Sequence, residues 1–305
     1  MGDPAGIGPE IITKALADSS LNEICRPLII GDAELLRKNA AALGLSLANV
    51  EIHDLKNVPD TVMPGIESAD TGRASAQYIE TAVELWRNSE IDAVATAPIS
   101  KMALSLAGYA FPGHTEFLAE LTNTREFAMS FFAENLRVVL LSTHISLRNA
   151  IDLVKKDQLV KLIKFSNATI AQLLKKEIKI AVAGLNPHAS EGGMFGSEEA
   201  DEIIPAIREC QNAGIDVHGP FSPDTIFLRG FRGEFDAVIS CYHDQATIAV
   251  KSLSFGNSVN VTLGLPLIRA SVDHGTAFDI AGKGIAEESS MKAAVRLAAE
   301  LAQIS

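Results

Sequence analysis

The chain has 305 residues, 47% of them hydrophobic and 21% charged, and its formal net charge is −12. Such a length and balance predict one large or two ordinary packed α/β domains. The negative charge argues against nucleic acid or an anionic membrane as the main partner, but a local cluster of basic side chains can still bind an anionic small substrate. Because no apolar run reaches about 18 residues and the first residues have no basic region, we expect neither a transmembrane helix nor a signal peptide.

The cysteines Cys25, Cys210 and Cys241 are far apart in the sequence and form no CxxC pair. Reduced thiols are the simplest interpretation of this spacing. We therefore expect a cytoplasmic protein without a disulfide framework.

The sequence begins with a glycine-rich segment, MGDPAGIGPE, which leads into a predicted helix at residues 10–17. Its glycines do not match the GxGxxG fingerprint of dinucleotide-binding loops. The segment is either a tight turn before the helix or a backbone stretch that approaches a ligand at the helix N-terminus. A loop of this kind usually follows a strand, and we expect its first residues to be the end of one.

Strand-like and helix-like segments alternate along the chain. The predicted strands are residues 26–31, 91–97, 178–183 and 236–241, and the predicted helices are residues 33–43, 74–88, 158–175, 198–213 and 287–303. Asp157 is the expected N-cap of the helix at 158–175. The alternation predicts a mainly parallel sheet with helices on both sides. We expect two lobes, with residues 1–125 and 256–305 in the first and residues 126–255 in the second.

Three of the histidines, His144, His188 and His243, come within a few residues of the end of an apolar, strand-like run. In an open parallel sheet, ligands bind at the carboxyl ends of the strands. Three imidazoles that meet there can form a divalent metal site with open positions. Taken singly, each is more often a hydrogen-bonded structural histidine. His53 and His218 have polar neighbours and are expected at the solvated surface.

A second set of residues favours an anionic ligand. Lys251 and Arg269 each interrupt an apolar run, and a charge inside such a run is costly unless it is paired. A phosphate or a carboxylate would pair it. The tetrapeptide GHTE adds His114 and Thr115, although it is equally able to start a helix at residues 117–121. For Lys251 the alternative is a surface lysine whose stem covers apolar surface.

Seven motifs in order, MGDPAGIGPE, GHTE, THIS, GLNPHASEGG, YHDQ, VNVTLGLPLIR and SVDHGTAFDIAGKG, resemble those of the 4-hydroxythreonine-4-phosphate dehydrogenase (pyridoxal phosphate biosynthesis protein PdxA) family. The resemblance covers almost the whole chain. It implies a two-lobed, isocitrate-dehydrogenase-like α/β fold with mainly parallel sheets flanked by helices. It also implies a homodimer with the active site in the cleft near the partner subunit, NAD or NADP as cofactor, and a divalent metal such as zinc, magnesium or cobalt.

The resemblance also assigns roles to individual residues. The metal ligands of the family match His144, His188 and His243. Its substrate-binding residues match His114, Thr115, Lys251, Asn260 and Arg269, and Lys251 is in addition the catalytic candidate, as a proton relay or a charge beside the metal. For the cofactor we expect the stretches 260–264 and 274–283, with Asn260, Gly264, His274 and Asp279 as binding residues. We expect the cofactor on the first lobe, and the metal and the dimer contacts on the second.

The implied reaction is oxidation of a secondary alcohol by hydride transfer to nicotinamide, followed by decarboxylation of the resulting β-keto acid. In the biosynthetic branch the substrate is 4-phosphooxy-threonine and the product feeds pyridoxal phosphate synthesis. The loop at 191–197 departs from the form of that branch, and Ser146 and Ala246 stand where the family more often has Pro and Gly. The segments FSPDTIF and AFDIA are closer to a catabolic branch that acts on D-threonate or D-erythronate 4-phosphate. A third branch, the terephthalate-dihydrodiol-type dehydrogenases, shares the fold and stays open as an alternative. The non-enzyme alternative is a metal-dependent binding protein on the same fold.

Overall fold

The structure is a computed structural model that describes residues 1–254 and 257–304. The chain divides into two compact units, of which the first contains Met1–Phe127 and Leu265–Gln303 and the second is built on Ala128–Gly264. The expected crossing of the chain near residue 255 lies outside the described residues. The assignment of the cofactor to the first lobe, and of the metal and the dimer contacts to the second, stays a prediction.

In the first unit, two pairs of parallel strands are surrounded by helices, and elements are numbered along the whole chain. The helices are α1 (Gly8–Leu16), α2 (Ala33–Ala42), α3 (Ala69–Arg87), α4 (Lys101–Leu106), α5 (His114–Leu121) and α11 (Ser289–Ile304), with a 3-10 turn at Ser19–Glu23. The strands are β1 (Leu28–Gly31), β2 (Glu51–Asp54), β3 (Ala93–Thr96) and β10 (Ile268–Ser271). β1 pairs with β2, and β3 pairs with β10.

The longest helix of this unit, α3, starts five residues before the predicted position because Ser68 caps it. The Ser68 side chain accepts a hydrogen bond from the backbone N–H of Thr71, and the Thr71 hydroxyl accepts one from the backbone N–H of Ser68. This capping box satisfies N–H groups that have no partner inside the helix. Gly72 lies where α3 packs against α4. A Cβ at this position would clash with the carbonyl oxygen of Ala103, so only glycine fits here.

In the second unit, one sheet is covered by helices. The helices are α6 (Leu147–Asp152), α7 (Lys156–Leu174), α8 (Ile204–Asn212), α9 (Pro223–Phe231) and α10 (His243–Ser254), with a 3-10 segment at Pro187–Gly193 and a π-helical turn at Glu199–Ile203. The strands are β4 (Ala128–Ala133), β5 (Leu136–Leu140), β6 (Ile180–Ala183), β7 (Val217–Phe221), β8 (Ala237–Ser240) and β9 (Val259–Leu263). Their order is β9-β4-β5-β8-β6-β7.

The predicted fold class, α/β with mainly parallel sheets flanked by helices, is confirmed. In the second unit β5, β8, β6 and β7 are parallel neighbours, whereas β4 runs antiparallel to both β9 and β5. A parallel neighbour needs a long crossover, but β4 and β5 are joined by a short turn and must therefore be antiparallel. Among the described residues, no helix is both long and apolar enough to cross a membrane.

Two details of the predicted helices were wrong. Lys155, and not Asp157, is the N-cap of α7, and Asp157 lies in the first turn, where its charge favours the positive end of the helix dipole. The single helix expected at 198–213 is a π-helical turn followed by α8, with a proline in the first turn of α8. Proline has no N–H to donate, so it suits the first turn of a helix and interrupts a longer one.

Candidate active site

The strands that precede the predicted metal ligands are neighbours in the sheet of the second unit. β8 lies between β5 and β6 and is parallel to both, so their carboxyl ends lie at one edge. His144 lies in the loop after β5, His188 in the loop after β6, and His243 is the first residue of α10, just after β8. This edge is where ligands bind in open parallel sheets.

The structure brings together the first and the last of these histidines. The ring centroids of His144 and His243 are 5.6 Å apart. With metal–nitrogen bonds of about 2.1 Å and tetrahedral angles, two imidazoles on one metal would have centroids roughly 5 Å apart. The Nδ1 atom of His243 is 2.7 Å from a carboxylate oxygen of Asp244. Such a contact orients the ring and makes Nε2 the nitrogen that would bind a metal.

Gln245 fixes the turn that carries His243. Its side-chain oxygen accepts hydrogen bonds from the Ser240 hydroxyl (2.9 Å) and from the backbone N–H of Cys241 (2.8 Å). Its amide nitrogen donates to the carbonyl oxygen of Gly184 at 2.8 Å. The end of β8 is thereby tied to the end of β6, and the start of α10 has one defined position.

The third histidine, His188, lies in a loop with an unusual backbone. Residues 188–192 all have positive φ angles, with φ 53° at His188. Consecutive left-handed residues other than glycine are costly, so other contacts must hold the loop. The buried Glu199 accepts hydrogen bonds from the backbone N–H groups of Leu185 and Asn186, each at 2.8 Å. It also accepts one from the Asn186 side chain at 2.9 Å.

The predicted metal site of three histidines stays a prediction. The ring centroid of His188 lies 6.3 Å from that of Phe195. Over residues 1–254 and 257–304, no group of three or more His, Cys, Asp or Glu side chains is arranged to hold a metal ion.

In the first unit, Arg269 lies at the centre of a polar cluster. It belongs to β10 and is only 5% exposed. Its Nη2 and Nε atoms donate to the Thr96 hydroxyl at 3.0 and 3.2 Å, and its Nη1 donates to the Thr115 hydroxyl at 3.4 Å. Burial lowers the pKa of Arg269 to about 10, against the attraction of Glu116, so the guanidinium stays charged at neutral pH.

His114 adds to the same cluster. It is the first residue of α5, it is half-buried, and Gly113 precedes it as N-cap. Desolvation, followed by repulsion from Arg269, holds the pKa of His114 well below its usual value of 6.5. The imidazole is therefore neutral near pH 7. The GHTE motif therefore both starts a helix and belongs to the polar cluster. A helix N-terminus next to an arginine favours the binding of an anion.

The remaining predicted substrate residues belong to the second unit. Lys251 lies on α10 and is exposed. The argument that its charge is enclosed by apolar side chains was therefore wrong, and its role stays a prediction. Asn260 lies on β9, half-buried, and its side-chain oxygen is buried without a hydrogen-bond partner among the described residues. A ligand hydroxyl or ammonium group would satisfy it.

The predicted cofactor residues differ in their surroundings. Gly264, at the end of β9, has φ 91°, and Asp279 is exposed in a turn. His274 contacts the carbonyl oxygen of Gly275 through Nδ1 at 3.1 Å, while its buried Nε2 has no hydrogen-bond partner among the described residues. If Nδ1 carries the proton, Nε2 is an acceptor in need of a donor. A ribose hydroxyl is such a donor, so this residue fits a dinucleotide.

Three functional side chains were missed by sequence reasoning: Thr96, Gln245 and Glu199. Thr96 is the last residue of β3, a position at which a polar side chain reaches the ligand edge of a sheet, and this signal was available. Gln245 and Glu199 act by supporting loops, and only the three-dimensional structure reveals their partners.

A cavity of about 730 Å³ in the first unit reaches the arginine cluster, because Thr96 and His114 are among its lining residues. Most of the other lining residues are apolar, and charged side chains of both signs, such as Arg26 and Glu51, also line it. The arginine cluster of the first unit and the histidine edge of the second unit are each a candidate site.

The chain is similar to known proteins over almost its whole length. Residues 23–298 match the family described as pyridoxal phosphate biosynthetic protein PdxA. The D-threonate 4-phosphate dehydrogenase of Cupriavidus necator is 45% identical over 99% of this chain and 96% of its own length. The 4-hydroxythreonine-4-phosphate dehydrogenase of Trichlorobacter lovleyi is 43% identical over 99% of this chain and 96% of its own length.

A solved structure extends the similarity to three dimensions. The crystal structure of 4-hydroxythreonine-4-phosphate dehydrogenase from Klebsiella pneumoniae superposes with a TM-score of 0.91 at 40% identity. The match covers 99% of this chain and 98% of that one. Sequence and fold thus agree over essentially the whole length.

Proposed function

The chain belongs to the family of the pyridoxal phosphate biosynthetic protein PdxA, and from this premise we propose that it oxidises the secondary hydroxyl of a phosphorylated hydroxy acid, after which the product loses carbon dioxide. Its relatives are named dehydrogenases, so the chain is an oxidoreductase, and a dehydrogenase family implies a nicotinamide cofactor. The substrates in the relatives' names carry a 4-phosphate. A site for this chain must therefore bind a phosphate.

The observation that carries this proposal is the buried Arg269 with hydroxyl groups of Thr96 and Thr115 around it. The planar donors of a guanidinium match the oxygens of a phosphate. His114 and Thr115, in the first turn of α5, would add donors from the positive end of the helix. The neutral His114 can donate one ring N–H to a phosphate oxygen.

The residues at the sheet edge of the second unit fit a divalent metal. Imidazole nitrogens suit zinc and cobalt, and His144 and His243 have the spacing that one such ion requires. When bound, a divalent metal supplies Lewis acidity, which polarises an alcohol or a ketone oxygen. Asp244 fixes the orientation of the His243 ring, and Lys251 on the same helix is the candidate for moving a proton or holding charge.

We propose that His188 completes the metal site of a second copy in a homodimer. Exposed apolar side chains accompany the histidines along the chain: Ile145 and Leu147 follow His144, Met194 follows the His188 loop, and Ile248 lies on α10. Large apolar side chains that are 67–72% exposed, as Ile248 and Met194 are, favour a protein interface. A dimer of this kind would cover them and bring a third imidazole to each pair.

For the nicotinamide cofactor we propose the segment 274–284 and the side chains of His274 and Asp279, with Asn260 and Gly264 as further candidates. The cofactor supplies the hydride acceptor. The unpartnered Nε2 of His274 would accept a hydrogen bond from a ribose hydroxyl, and Asp279 is a second acceptor of the same type. The preference between NAD and NADP is a matter for titration with both.

The relatives carry two different names, and these support two candidate substrates: 4-hydroxythreonine 4-phosphate and D-threonate 4-phosphate. The phosphate cluster serves either, because they share that end. The test is a panel with NAD or NADP and zinc, magnesium or cobalt, in which reduced nicotinamide and released carbon dioxide are both measured. The panel holds 4-hydroxythreonine 4-phosphate, D-threonate 4-phosphate, D-erythronate 4-phosphate, unphosphorylated threonate and a terephthalate cis-dihydrodiol.

We expect turnover of at least one of the 4-phosphates and much slower turnover of unphosphorylated threonate. Preferred oxidation of the dihydrodiol would refute the phosphate assignment. Metal and ligand binding without turnover of any compound would support the binding-protein alternative instead. A chelator should abolish the activity and added metal should restore it, and full activity of exhaustively metal-free protein would exclude the metal role.

A further inference from the structure

Residues 272–288 form neither helix nor strand, although they include two predicted cofactor residues. Two turns within them are closed by hydrogen bonds from Ile280 N–H to the Ala277 carbonyl and from Lys283 N–H to the Ile280 carbonyl, both 3.1 Å. Ala277 has φ 44°, a left-handed conformation that is unfavourable for a residue with a Cβ. Local turns of this kind are weak, so the backbone here depends on contacts with other segments.

The strongest of these contacts come from helix α1. The Glu10 carboxylate accepts hydrogen bonds from the backbone N–H groups of Ala286 (2.7 Å) and Gly284 (3.2 Å). The Lys14 ammonium donates to the carbonyl oxygens of the same two residues, at 2.7 and 3.0 Å. Glu10 thus binds the backbone N–H groups of residues 284 and 286, and Lys14 binds their carbonyl groups.

The two side chains also bind each other. Lys14 Nζ lies 2.9 Å from a Glu10 oxygen, and the side chain of Glu10 is 2% exposed whereas that of Lys14 is 18% exposed. An ammonium has three N–H donors, and Lys14 has three acceptors here: Glu10, Gly284 and Ala286. Because the Glu10 carboxylate is buried, removal of Lys14 leaves it without its compensating charge.

The glycine-rich start of the chain approaches the same segment from another side. The backbone N–H of Ile7 donates to the carbonyl oxygen of Thr276 at 2.9 Å. A Cβ on Gly6 would lie 3.0 Å from that oxygen, and a Cβ on Gly65 would lie 2.8 Å from the carbonyl oxygen of Phe278. The glycines of this region therefore allow backbone to pack against backbone.

We propose that Glu10 and Lys14 are positioning residues for the cofactor: they fix the backbone of 276–286 in the conformation that binds nicotinamide dinucleotide, an inference that rests on the proposed function. Neither side chain touches the cofactor in this scheme. They act by ordering the segment before the cofactor binds, so that binding does not have to supply the free energy of ordering its backbone. Their loss weakens cofactor affinity and leaves the chemical step intact.

The competing explanation is that the pair only stabilises the fold of the first unit. Both explanations predict a lower melting temperature after substitution. They differ in the expected change of cofactor affinity. A pair that only stabilises the fold should leave the Kd for the cofactor unchanged in protein that is still folded. Direct titration of the folded protein with cofactor therefore distinguishes them.

The experiment compares Glu10→Gln, Lys14→Met and Lys14→Arg with the wild-type protein and with Glu34→Gln. Glu34 forms an exposed i,i+4 pair with Lys38 on α2, so this control removes a similar pair without touching the segment. Binding of NADH and NADPH is followed by fluorescence without substrate, and hydrogen exchange of residues 276–286 is measured in parallel. Steady-state kinetics give KM for the cofactor and kcat at saturation.

We expect Glu10→Gln and Lys14→Met to raise the Kd and the KM for the cofactor about tenfold or more, with faster exchange at 276–286 and kcat within about twofold. Lys14→Arg keeps the charge and should retain part of the affinity. Should a single variant fail to fold, the double variant Glu10→Gln/Lys14→Met, which leaves no unpaired charge, takes its place.

Faster exchange at 276–286 with unchanged cofactor affinity would overturn the inference and leave the proposed function intact. A fall in kcat at saturating cofactor without a change in Kd would overturn it as well. If the wild-type protein bound neither NADH nor NADPH, the proposed function would fail first, and the inference with it.

Discussion

The imidazole rings of His144 and His243 lie 5.6 Å apart, centroid to centroid, although they follow different strands, β5 and β8. The parallel pairing of these strands brings the two rings together at one edge of the sheet. His188 follows the neighbouring strand β6, in a loop with a left-handed backbone. Our proposal that His188 completes the metal site of a second copy can be tested with variants of the three histidines.

The first prediction is complementation between inactive variants. If His144 and His243 of one chain share a metal with His188 of a second copy, mixing His188→Ala with His144→Ala/His243→Ala creates heterodimers with one intact site. After subunit exchange, about a quarter of all sites are intact for a two-fold symmetric dimer. Activity and bound metal should both recover to about that level.

The matched control mixes His144→Ala with His243→Ala. Both of these residues would come from the same chain, so no combination restores a complete site and no recovery is expected. Absence of recovery in the first mixture, with heterodimers demonstrated by mass, would contradict a shared site. A chain that stays monomeric and fully active would contradict the dimer itself.

The second prediction concerns the phosphate. Arg269→Met should lower kcat/KM for the phosphorylated substrate by about a hundredfold or more, which corresponds to about 2.7 kcal/mol. The unphosphorylated analogue should be affected much less, because the guanidinium has no phosphate to bind in that case. The fold should survive, since methionine fills a buried position without a charge.

Arg73→Met is the control for a lost arginine in the same unit, because Arg73 forms only an exposed pair with Asp70 on α3. It should leave both substrates unaffected. Equal losses on the phosphorylated and unphosphorylated compounds in Arg269→Met would show that the arginine serves the fold or another part of the substrate.

The third prediction is a pH effect on stability. The pKa of His114 is lower in the folded chain than the usual 6.5, chiefly because of desolvation and then because of Arg269. The unfolded state therefore binds the proton more readily, and stability is lost as the pH falls below about 6.5 towards the folded pKa. His114→Gln should make the melting temperature less sensitive to pH over this range.

His53→Gln is the control for the loss of a histidine, since His53 is exposed on β2. Identical profiles for the wild-type protein and His114→Gln would contradict the depressed pKa. A phosphorylated ligand should also reduce the acid sensitivity of the wild-type protein, because an anion beside His114 favours its charged form.

The elements with strong patterns were predictable. The apolar stripe of α3 and the alternation of strands and helices are local signals that packing did not override, and the histidines after β5, β6 and β8 follow from the rule that ligands bind at strand ends. β2, β4, β7, β9 and β10 were not predicted. β7 contains a Gly-Pro sequence, which is typical of a turn.

The candidate site was likewise predictable only where a residue type and its place in the sequence carried a signal. Residue type and position identified Arg269 as a buried charge, and the structure has it 5% exposed. The same reasoning failed for Lys251, because a helix can present one side chain of an apolar run to solvent. The backbone of the His188 loop has six consecutive positive φ angles, from residue 188 to residue 193, and the link from Glu10 to Ala286 joins distant parts of the chain. Neither has a local signal in the sequence.

The last prediction concerns Lys251. It lies eight residues after His243 on α10, and eight helical residues correspond to roughly 12 Å along the axis and about 80° around it. The lysine side chain can span part of this distance towards a substrate bound beside the histidines. If it serves that substrate, Lys251→Ala should lower kcat/KM by at least about a hundredfold, or about 2.7 kcal/mol, while metal content and melting temperature change little.

Lys251→Arg should not restore the activity, because a guanidinium does not give up its proton near neutral pH and has a different shape from an ammonium. Lys161→Ala, which removes another exposed helix lysine of the same unit, serves as the control and should be neutral. Near-normal turnover by Lys251→Ala would instead assign Lys251 to the ordinary surface lysines, whose stems cover apolar surface while their amines reach water. Loss of activity in both alanine variants would point to a general charge effect and remove the case for a specific role of Lys251.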